Sequence, residues 1–322
     1  MSIEIKKCAV LGAGVMGAQI AGHIANAGIP SLLFDINEEL AKKGVEGLTK
    51  LKPAPLFSSK NTSLVTACTY DNDLEKLKDC DLIIEAVAEK IEIKHSVYKS
   101  LLPHLKDDAI LASNTSGIPL ANLVEVLPDE VQSRFLISHF FNPPRYLRLL
   151  ELVKGPKTTD EVYETVTEFG EVILGKGVVH AKDTPGFIGN RLINASGPLT
   201  FQKAMDYGLT VEDVDALSGT LIGNAKSAYF RTQDVVGLDT ALNVMNNMFE
   251  RVTTESEDER QKFKAPDLLV KLVEDGRLGQ KSGQGWYKKE GKEILSLDFD
   301  TMEYTPTKKR FFDTIRVGKP IK

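Results

Sequence analysis

A histidine and a glutamate near the middle of the chain have the side chains that acid/base catalysis requires. His139 begins the segment HFFNPP, in which Phe140 and Phe141 are expected to exclude water, and Glu151 follows within the apolar stretch LRLLELV. An imidazole titrates near neutral pH and can take a proton from a hydroxyl group. A carboxylate on its other ring nitrogen fixes the tautomer and stabilises the imidazolium that forms. Alone, such a pair is more often structural, so its meaning depends on the sequence around it.

A glycine-rich turn near the N-terminus has the spacing of a dinucleotide-binding motif. Residues 7–35 read KCAVLGAGVMGAQIAGHIANAGIPSLLFD, which predicts a strand, a turn, a helix and a second strand. Gly12 permits the tight turn, Gly14 lets the backbone approach a pyrophosphate, and Gly17 lets the helix pack closely on the sheet. The helix N-terminus, at Val15 and Met16, then offers unpaired N–H groups to the phosphates.

Asp35, at the end of the second strand, indicates which dinucleotide would bind. A carboxylate at this place accepts hydrogen bonds from a ribose diol and repels a 2′-phosphate, which favours NAD over NADP. The alternative is an ordinary βαβ crossover with a solvent-facing acid. If the dinucleotide site is real, His139 and Glu151 become candidates for the proton transfer that accompanies hydride transfer from a hydroxyl-bearing carbon.

The pattern of the first half predicts a Rossmann-type, doubly wound, mostly parallel sheet. Strand and helix patterns alternate as far as about Lys182, with buried strands at 81–87, 109–113 and 134–140. Ligands bind beyond the carboxyl ends of such strands. The segments that follow these strands are 86–89, 113–116 and 139–142.

Helical spacing replaces this alternation after Pro185-Gly186, which predicts an all-α second domain with Asn190 on a long helix. Thr210 with Asp213 resembles an N-cap, although an acid at this position is only a partial match to a capping box. We therefore expect an NAD-binding domain at 1–183, a helical domain at 184–290, and a polar tail or connector at 291–322.

Composition is typical of a globular protein with two domains. The chain has 322 residues, 42% hydrophobic and 26% charged residues, and a net charge of −5. Mild acidity gives no electrostatic reason to expect nucleic acid binding, and no apolar run is long enough to span a membrane. Three cysteines without metal-ligand spacing predict reduced thiols, no metal site and a cytoplasmic location.

Several stretches resemble the L-3-hydroxyacyl-CoA dehydrogenases of fatty acid β-oxidation. They are VLGAGVMGAQIA, EAVAE, ASNTSGIPL, HFFNPP, KDTPGFIGNRL and LGQKSGQGWY, in order from about residue 7 to 287. The resemblance implies that His139 is the catalytic base and Glu151 its orienting partner. It also implies that Ser116 and Asn190 hydrogen-bond the reacting oxygen, and that Asn142 lines the same pocket.

The resemblance places two further side chains, Glu89 and Lys94, beside the cofactor. Together with the glycine turn and the strand ends, it predicts a set of residues that contact NAD. This set is Gly12, Gly14, Val15, Met16, Gly17, Asp35, Ala86, Val87, Glu89, Lys94, Asn114, Ser116 and Asn142.

The resemblance implies an acyl-CoA substrate, and it leaves the partners open. The ending resembles the connector of longer, fused β-oxidation proteins, so a fused or associated enoyl-CoA hydratase and a homodimer are both alternatives. Lysines between residues 42 and 60 either contact CoA phosphates or form a solvent-exposed helix face. A free hydroxy acid or sugar acid as substrate, and a non-catalytic NAD-binding protein, are the other functions that the sequence leaves open. Acyl chain length is also open.

Overall fold

A computed structural model describes residues 4–253, 256–308 and 311–318. The chain divides into two compact units, Met1–Ile188 and Gly189–Lys322. The division lies five residues beyond the predicted boundary at 183. The sheet strands and the segment that follows them, as far as Ile188, therefore belong to the first unit.

The first unit is built on an eight-stranded sheet in the order β3-β2-β1-β4-β5-β6-β7-β8. Strands β1 to β6 are parallel, β7 is antiparallel to β6, and β8 is parallel to β7. This is the predicted doubly wound, mostly parallel sheet. The strands are β1 Cys8–Leu11, β2 Ser31–Asp35, β3 Val65–Thr69, β4 Leu82–Glu85, β5 Ile110–Ser113, β6 Phe135–Phe140, β7 Leu149–Lys154 and β8 Gly177–Ala181.

Helices of the first unit connect these strands. They are α1 Val15–Asn26, α2 Glu38–Lys50, α3 Tyr70–Asp73, α4 Ile91–Leu101, α5 Leu120–Val124, α6 Asp129–Gln132 and α7 Asp160–Glu168. Short 3-10 turns at Ser59–Leu64, Leu74–Asp79 and Leu102–His104, and a π-helical turn at Phe169–Ile173, complete the connections.

Both faces of the sheet are covered by apolar side chains, as the buried strand sequences predict. Cys8 and Val10 of β1 lie in one hydrophobic cluster, and Ala9 and Leu11 lie in another. Successive side chains of a strand point to opposite faces, so β1 is buried on both sides. The strand order reverses between β1 and β4, which is where ligands bind in such sheets.

The second unit consists mostly of helices around their own apolar cores. Thr210 and Asp213 form a complete capping box, since each side chain accepts from the other residue's backbone N–H. The sequence predicted only a partial match to a capping box, but the Asp213 side chain is long enough to reach the Thr210 amide and complete it. The helices are α8 Gly189–Asp206, α9 Val211–Leu217, α10 Phe230–Val236, α11 Leu238–Arg251, α12 Glu257–Gln261, α13 Asp267–Glu274 and α14 Asp313–Val317, with 3-10 turns at Thr220–Ile222 and Gln280–Ser282.

The predicted helical second domain is confirmed, and a small sheet follows helix α13, largely within the segment expected to be a polar tail or connector. Strands β9 Tyr287–Glu290, β10 Glu293–Leu297 and β11 Tyr304–Pro306 form an antiparallel sheet. Leu297, Phe299 and Tyr304 pack on the apolar core of the second unit. The described part of the segment 291–322 therefore includes residues that belong to this unit. These apolar residues stand between charged ones in the sequence, so the high average polarity of the segment concealed that they pack in a core.

Candidate active site

The antiparallel pairing of β6 with β7 brings the predicted acid/base pair together. His139 and Glu151 are directly opposite each other in the register, and directly opposed side chains lie on the same face of a sheet. The distance from His139 Nδ1 to Glu151 Oε2 is 2.8 Å. The other carboxylate oxygen, Oε1, accepts from the Ile188 amide at 3.0 Å. The carboxylate is completely buried and the histidine is 6% exposed, so little water competes for this hydrogen bond.

This geometry determines which nitrogen of His139 can act as a base. An ionised carboxylate only accepts hydrogen bonds, so Nδ1 carries the proton that bonds to Glu151. Neutral imidazole then has its lone pair on Nε2. The pair can therefore take one proton at Nε2 and hold the resulting positive charge beside a carboxylate.

Aromatic rings shield the histidine, but one of them differs from the expectation. The sequence suggests that Phe140 and Phe141 exclude water from His139. Phe141 has its ring centroid 4.5 Å from the imidazole, and Phe187 lies at 5.6 Å. Phe140 packs in the core instead, because neighbouring residues of a strand point to opposite faces.

The glycine turn after β1 has the features that a pyrophosphate site needs. A Cβ on Gly12, whose φ is +101°, would lie 2.7 Å from the Ala86 carbonyl oxygen, and a Cβ on Gly17 would lie 1.8 Å from the Gly12 carbonyl oxygen. Gly14 faces open space at the N-cap of α1, and among the described residues no side chain caps this end of the helix. Val15 is 64% exposed beside it. The turn therefore leaves backbone N–H groups that an anion can use.

Asp35 lies at the carboxyl end of β2, as expected for an acid that binds a ribose. Its carboxylate accepts from the backbone amides of Ala13 and Ile36, both at 2.7 Å. These bonds orient the side chain beside the glycine turn. A carboxylate has about four acceptor positions, so two remain for ribose hydroxyls.

The loop after β5 is held by the loop after β4. Glu89 Oε1 accepts from Thr115 Oγ1 at 2.6 Å, from the Ser116 amide at 2.9 Å and from Ser116 Oγ at 3.3 Å. Lys94 Nζ lies 3.2 Å from the other oxygen of Glu89. Burial by itself raises the pKa of Glu89, but Lys94 and the bonds from Thr115 and Ser116 outweigh it and hold the pKa below its usual range. Glu89 is therefore ionised at neutral pH.

Asn114 and Asn142 extend from the loops after β5 and β6. The Asn114 side-chain oxygen accepts from the Phe140 amide at 2.8 Å, which ties these loops together. Asn142 Oδ1 accepts from Gln19 Nε2 at 3.1 Å, so it is linked to α1 of the cofactor turn. Sequence reasoning did not identify Gln19, because a polar residue within a helix has no distinguishing spacing.

Glu85 is the other residue that the sequence reasoning missed. It ends the buried strand β4, is completely buried, and accepts from Lys94 Nζ at 2.7 Å. A charged residue in the last position of an apolar strand was the available signal. Asn190 lies in the first turn of α8, where its carbonyl accepts from Asn194 Nδ2 at 2.7 Å. Its contact with the reacting oxygen stays a prediction.

The lysines between residues 42 and 60 are partly paired. Lys42 and Lys50 form ion pairs with Glu38 and Glu46, one helical turn away on α2. This favours the solvent-exposed face over the CoA contact for these two side chains. Among the described residues no cluster of histidine, cysteine and carboxylate side chains could hold a metal ion, and no helix is long and apolar enough to cross a membrane.

The sheet order, the glycine turn at the reversal point and the carboxylate after β2 define a Rossmann-type dinucleotide-binding protein. The family model of the 3-hydroxyacyl-CoA dehydrogenase NAD-binding domain matches residues 7–184, and that of the C-terminal domain matches residues 186–289. The chain therefore belongs to the 3-hydroxyacyl-CoA dehydrogenase family, whose cofactor is NAD.

Individual relatives agree with this assignment. A probable 3-hydroxyacyl-CoA dehydrogenase of Bacillus subtilis is 42% identical over all of this chain and 43% of its own length. One of Deinococcus radiodurans is 43% identical over 93% of this chain and 87% of its own length. The crystal structure of (S)-3-hydroxybutyryl-CoA dehydrogenase from Ralstonia eutropha is 27% identical, with a TM-score of 0.74 over 89% of this chain and 100% of that one. This chain thus spans less than half of the Bacillus relative.

Proposed function

We propose that this protein oxidises L-3-hydroxyacyl-CoA to 3-ketoacyl-CoA with NAD, as a step of fatty acid β-oxidation. The observation that carries the proposal is the buried 2.8 Å hydrogen bond between His139 and Glu151. It lies near the carboxyl end of β6, the same edge of the sheet as the glycine turn after β1. A proton acceptor and a dinucleotide site at one edge are the two parts that dehydrogenation of an alcohol requires.

The chemistry of the bound NAD is to accept the hydride from C3 of the substrate. His139 Nε2 takes the proton of the 3-hydroxyl group, and Glu151 holds the imidazole in the tautomer that makes Nε2 the acceptor. As the imidazolium forms, the buried carboxylate stabilises its charge. Phe141 and Phe187 cover the imidazole and keep water away from the proton transfer.

Ser116 and Asn190 are proposed to donate to the substrate oxygen as it becomes a ketone. For Ser116, support comes from its exposed position in a loop that Glu89 fixes through both the amide and the hydroxyl group. For Asn190, it comes from its position near the start of the region that matches the family model of the C-terminal domain, residues 186–289. Asn142 is proposed to line the same pocket, at the carboxyl end of β6.

The test is NADH consumption with acetoacetyl-CoA, measured beside free acetoacetate and beside the variant His139→Gln. Turnover that requires both CoA and His139 is expected. Turnover on the free acid instead would move the substrate to the hydroxy acids. Binding of NADH with no turnover on either substrate would favour a non-catalytic NAD-binding protein.

Partners and compartment are part of the same proposal. An enoyl-CoA hydratase, fused or associated, is proposed because a putative fatty acid oxidation complex trifunctional enzyme of Rickettsia felis is 37% identical over 92% of this chain, which covers 43% of that protein. A homodimer is the alternative, and sedimentation of the purified chain separates monomer from dimer. The cytoplasm is the proposed compartment, supported by the three buried cysteines, which are unpaired.

A further inference from the structure

A completely buried glutamate below the proposed site is the centre of a polar network. Glu85 Oε1 accepts from Lys94 Nζ at 2.7 Å and from the Val87 amide at 2.8 Å. Its other oxygen accepts from Tyr98 Oη at 2.9 Å and from Ser113 Oγ at 2.7 Å. Four donors on one carboxylate satisfy it fully, which a buried charge requires.

Lys94 connects this carboxylate to the loop that carries Ser116. Its side chain is 1% exposed, and its ammonium group lies between two acids, Glu85 at 2.7 Å and Glu89 at 3.2 Å. Glu89 in turn holds the amide and the hydroxyl group of Ser116. The contacts form a continuous chain from the end of β4, through α4, to a group that is proposed to bind the reacting oxygen.

We propose that Glu85 is a positioning residue of this site, which fixes Lys94 so that Glu89 holds Ser116 in place. The inference rests on the proposed function, because it gives Ser116 a role in the reaction. Lys94 has a flexible stem, and Glu89 alone would leave it free to move toward solvent. The carboxylate of Glu85, which is buried at the end of β4, holds the ammonium group at a position from which it contacts Glu89.

A second branch from Glu85 reaches the cofactor turn. The bond to the Val87 amide holds the loop whose Ala86 carbonyl packs against Gly12. Glu85 therefore supports both the loop that carries the proposed oxygen donor and the turn proposed to bind the dinucleotide. The loop after β4 and the turn after β1 lie where the strand order reverses.

The variant Glu85→Gln tests the charge while keeping the size of the side chain. Its amide oxygen can still accept from Lys94 and Val87, and the hydroxyl groups of Tyr98 and Ser113 can rotate to accept from its NH₂ group. A neutral amide holds the Lys94 ammonium group less strongly than a carboxylate does, so Lys94 becomes free to move away from Glu89. We expect kcat with acetoacetyl-CoA to fall about 10- to 100-fold from the misplacement of Ser116. Faster amide exchange of the loop around Ser116, and weaker NADH binding by fluorescence, are expected in the same variant.

Combining this change with Ser116→Ala separates positioning from general loss of structure. If Glu85 acts through Ser116, the double variant has the kcat of Ser116→Ala within about twofold. Independent, multiplying losses would overturn the inference. Tyr98→Phe is the matched control, since it removes one bond to the same carboxylate but leaves Lys94 in place. It is expected to lower thermal stability and keep kcat within about twofold.

If Glu85→Gln alone does not fold, Glu85→Gln/Lys94→Met is the second variant, because removing both charges of a buried pair is better tolerated than removing one. The same loss of kcat and faster loop exchange are expected. Wild-type kcat and exchange in either folded variant would overturn the inference. Loop exchange needs no turnover, so a wild-type protein that is inactive on acyl-CoA would refute the proposed function and leave this test intact.

Discussion

Two acids of each unit, three of them buried and Asp215 half-buried, differ in the groups that donate to them. In the first unit, Glu151 accepts from an imidazole and Glu85 accepts from an ammonium group. In the second unit, Asp234 accepts from the amides of Trp286 and Tyr287, both at 2.9 Å, and Asp215 accepts from two backbone amides and a tyrosine hydroxyl group.

We propose that the difference separates acids that support the reaction from acids that only hold loops in place. Glu151 and Glu85 accept from backbone amides as well, so the imidazole or ammonium partner is what distinguishes them. A carboxylate bonded to an imidazole or an ammonium group controls where a proton or charge lies. One bonded to backbone amides holds loops that would otherwise bury unpaired N–H groups. Substitutions of Glu151 and Glu85 should therefore change turnover, and those of Asp234 and Asp215 should change stability.

The largest effect is expected for His139→Gln. Loss of the base should lower kcat about 10⁴-fold, while NADH binding stays within about twofold, because the imidazole is not part of the glycine turn. Stopped-flow turnover and NADH fluorescence measure the two quantities. His180→Gln, on β8 outside the site, is the matched control and should retain full kcat. Equal loss of turnover and NADH binding would make His139 structural.

Glu151→Gln should lower kcat about 10³-fold with little change in fold. The Ile188 amide donates to Oε1, so the new amide oxygen would take that position and the NH₂ group would face His139 Nδ1. An NH₂ donor there requires the proton on Nε2, which removes the base. Steady-state kinetics and near-UV circular dichroism test this. A loss that multiplies with that of His139→Gln would contradict the shared role.

Asp234→Ala tests an acid of the second unit that accepts from backbone amides. Two buried amides would lose their acceptor, which should reduce the free energy of unfolding by about 3 kcal/mol. Urea titration measures this change. Turnover per folded molecule is expected to stay within about twofold, and a large fall in kcat with unchanged stability would break the distinction between the units.

His23 sharpens the comparison, since it is a buried titratable group of the first unit outside the proposed site. Its Nε2 donates to the Leu174 carbonyl at 3.1 Å, and burial, aided by the charge of Lys176, lowers its pKa to about 4. Between about pH 4 and pH 6.5, His23 is protonated in the unfolded chain but neutral in the folded protein. The free energy of unfolding therefore decreases as the pH falls through this range.

The stability difference between wild type and His23→Gln should therefore shrink by about 2 kcal/mol from pH 7 to pH 4. Urea titrations at both values test it. Asp234, whose pKa burial raises to about 6, changes stability in the opposite direction over much of this range. If the stability difference between wild type and His23→Gln were the same at both pH values, His23 would have the same pKa in the folded and unfolded states.

Local chemistry explains which parts of the site could be predicted from sequence. The glycine turn and Asp35 depend on residues close together in the chain, and on sterics that any βαβ unit shares. The network of Glu85 could not be found this way, because Lys94, Tyr98 and Ser113 come from two other elements. Strands β10 and β11 were also missed, because their stability depends on contacts between strands, and the average polarity of the segment does not show such contacts.

The sequence by itself determined the class of fold, the cofactor turn and the types of residue that form the proposed acid/base pair. Only the tertiary structure decided that His139 and Glu151 meet, because the register of β6 with β7 brings them opposite each other. A shift of one residue would move either side chain to the other face of the sheet. The register of two strands is set by their contacts in the folded chain, and the spacing of residues along the sequence does not specify it directly.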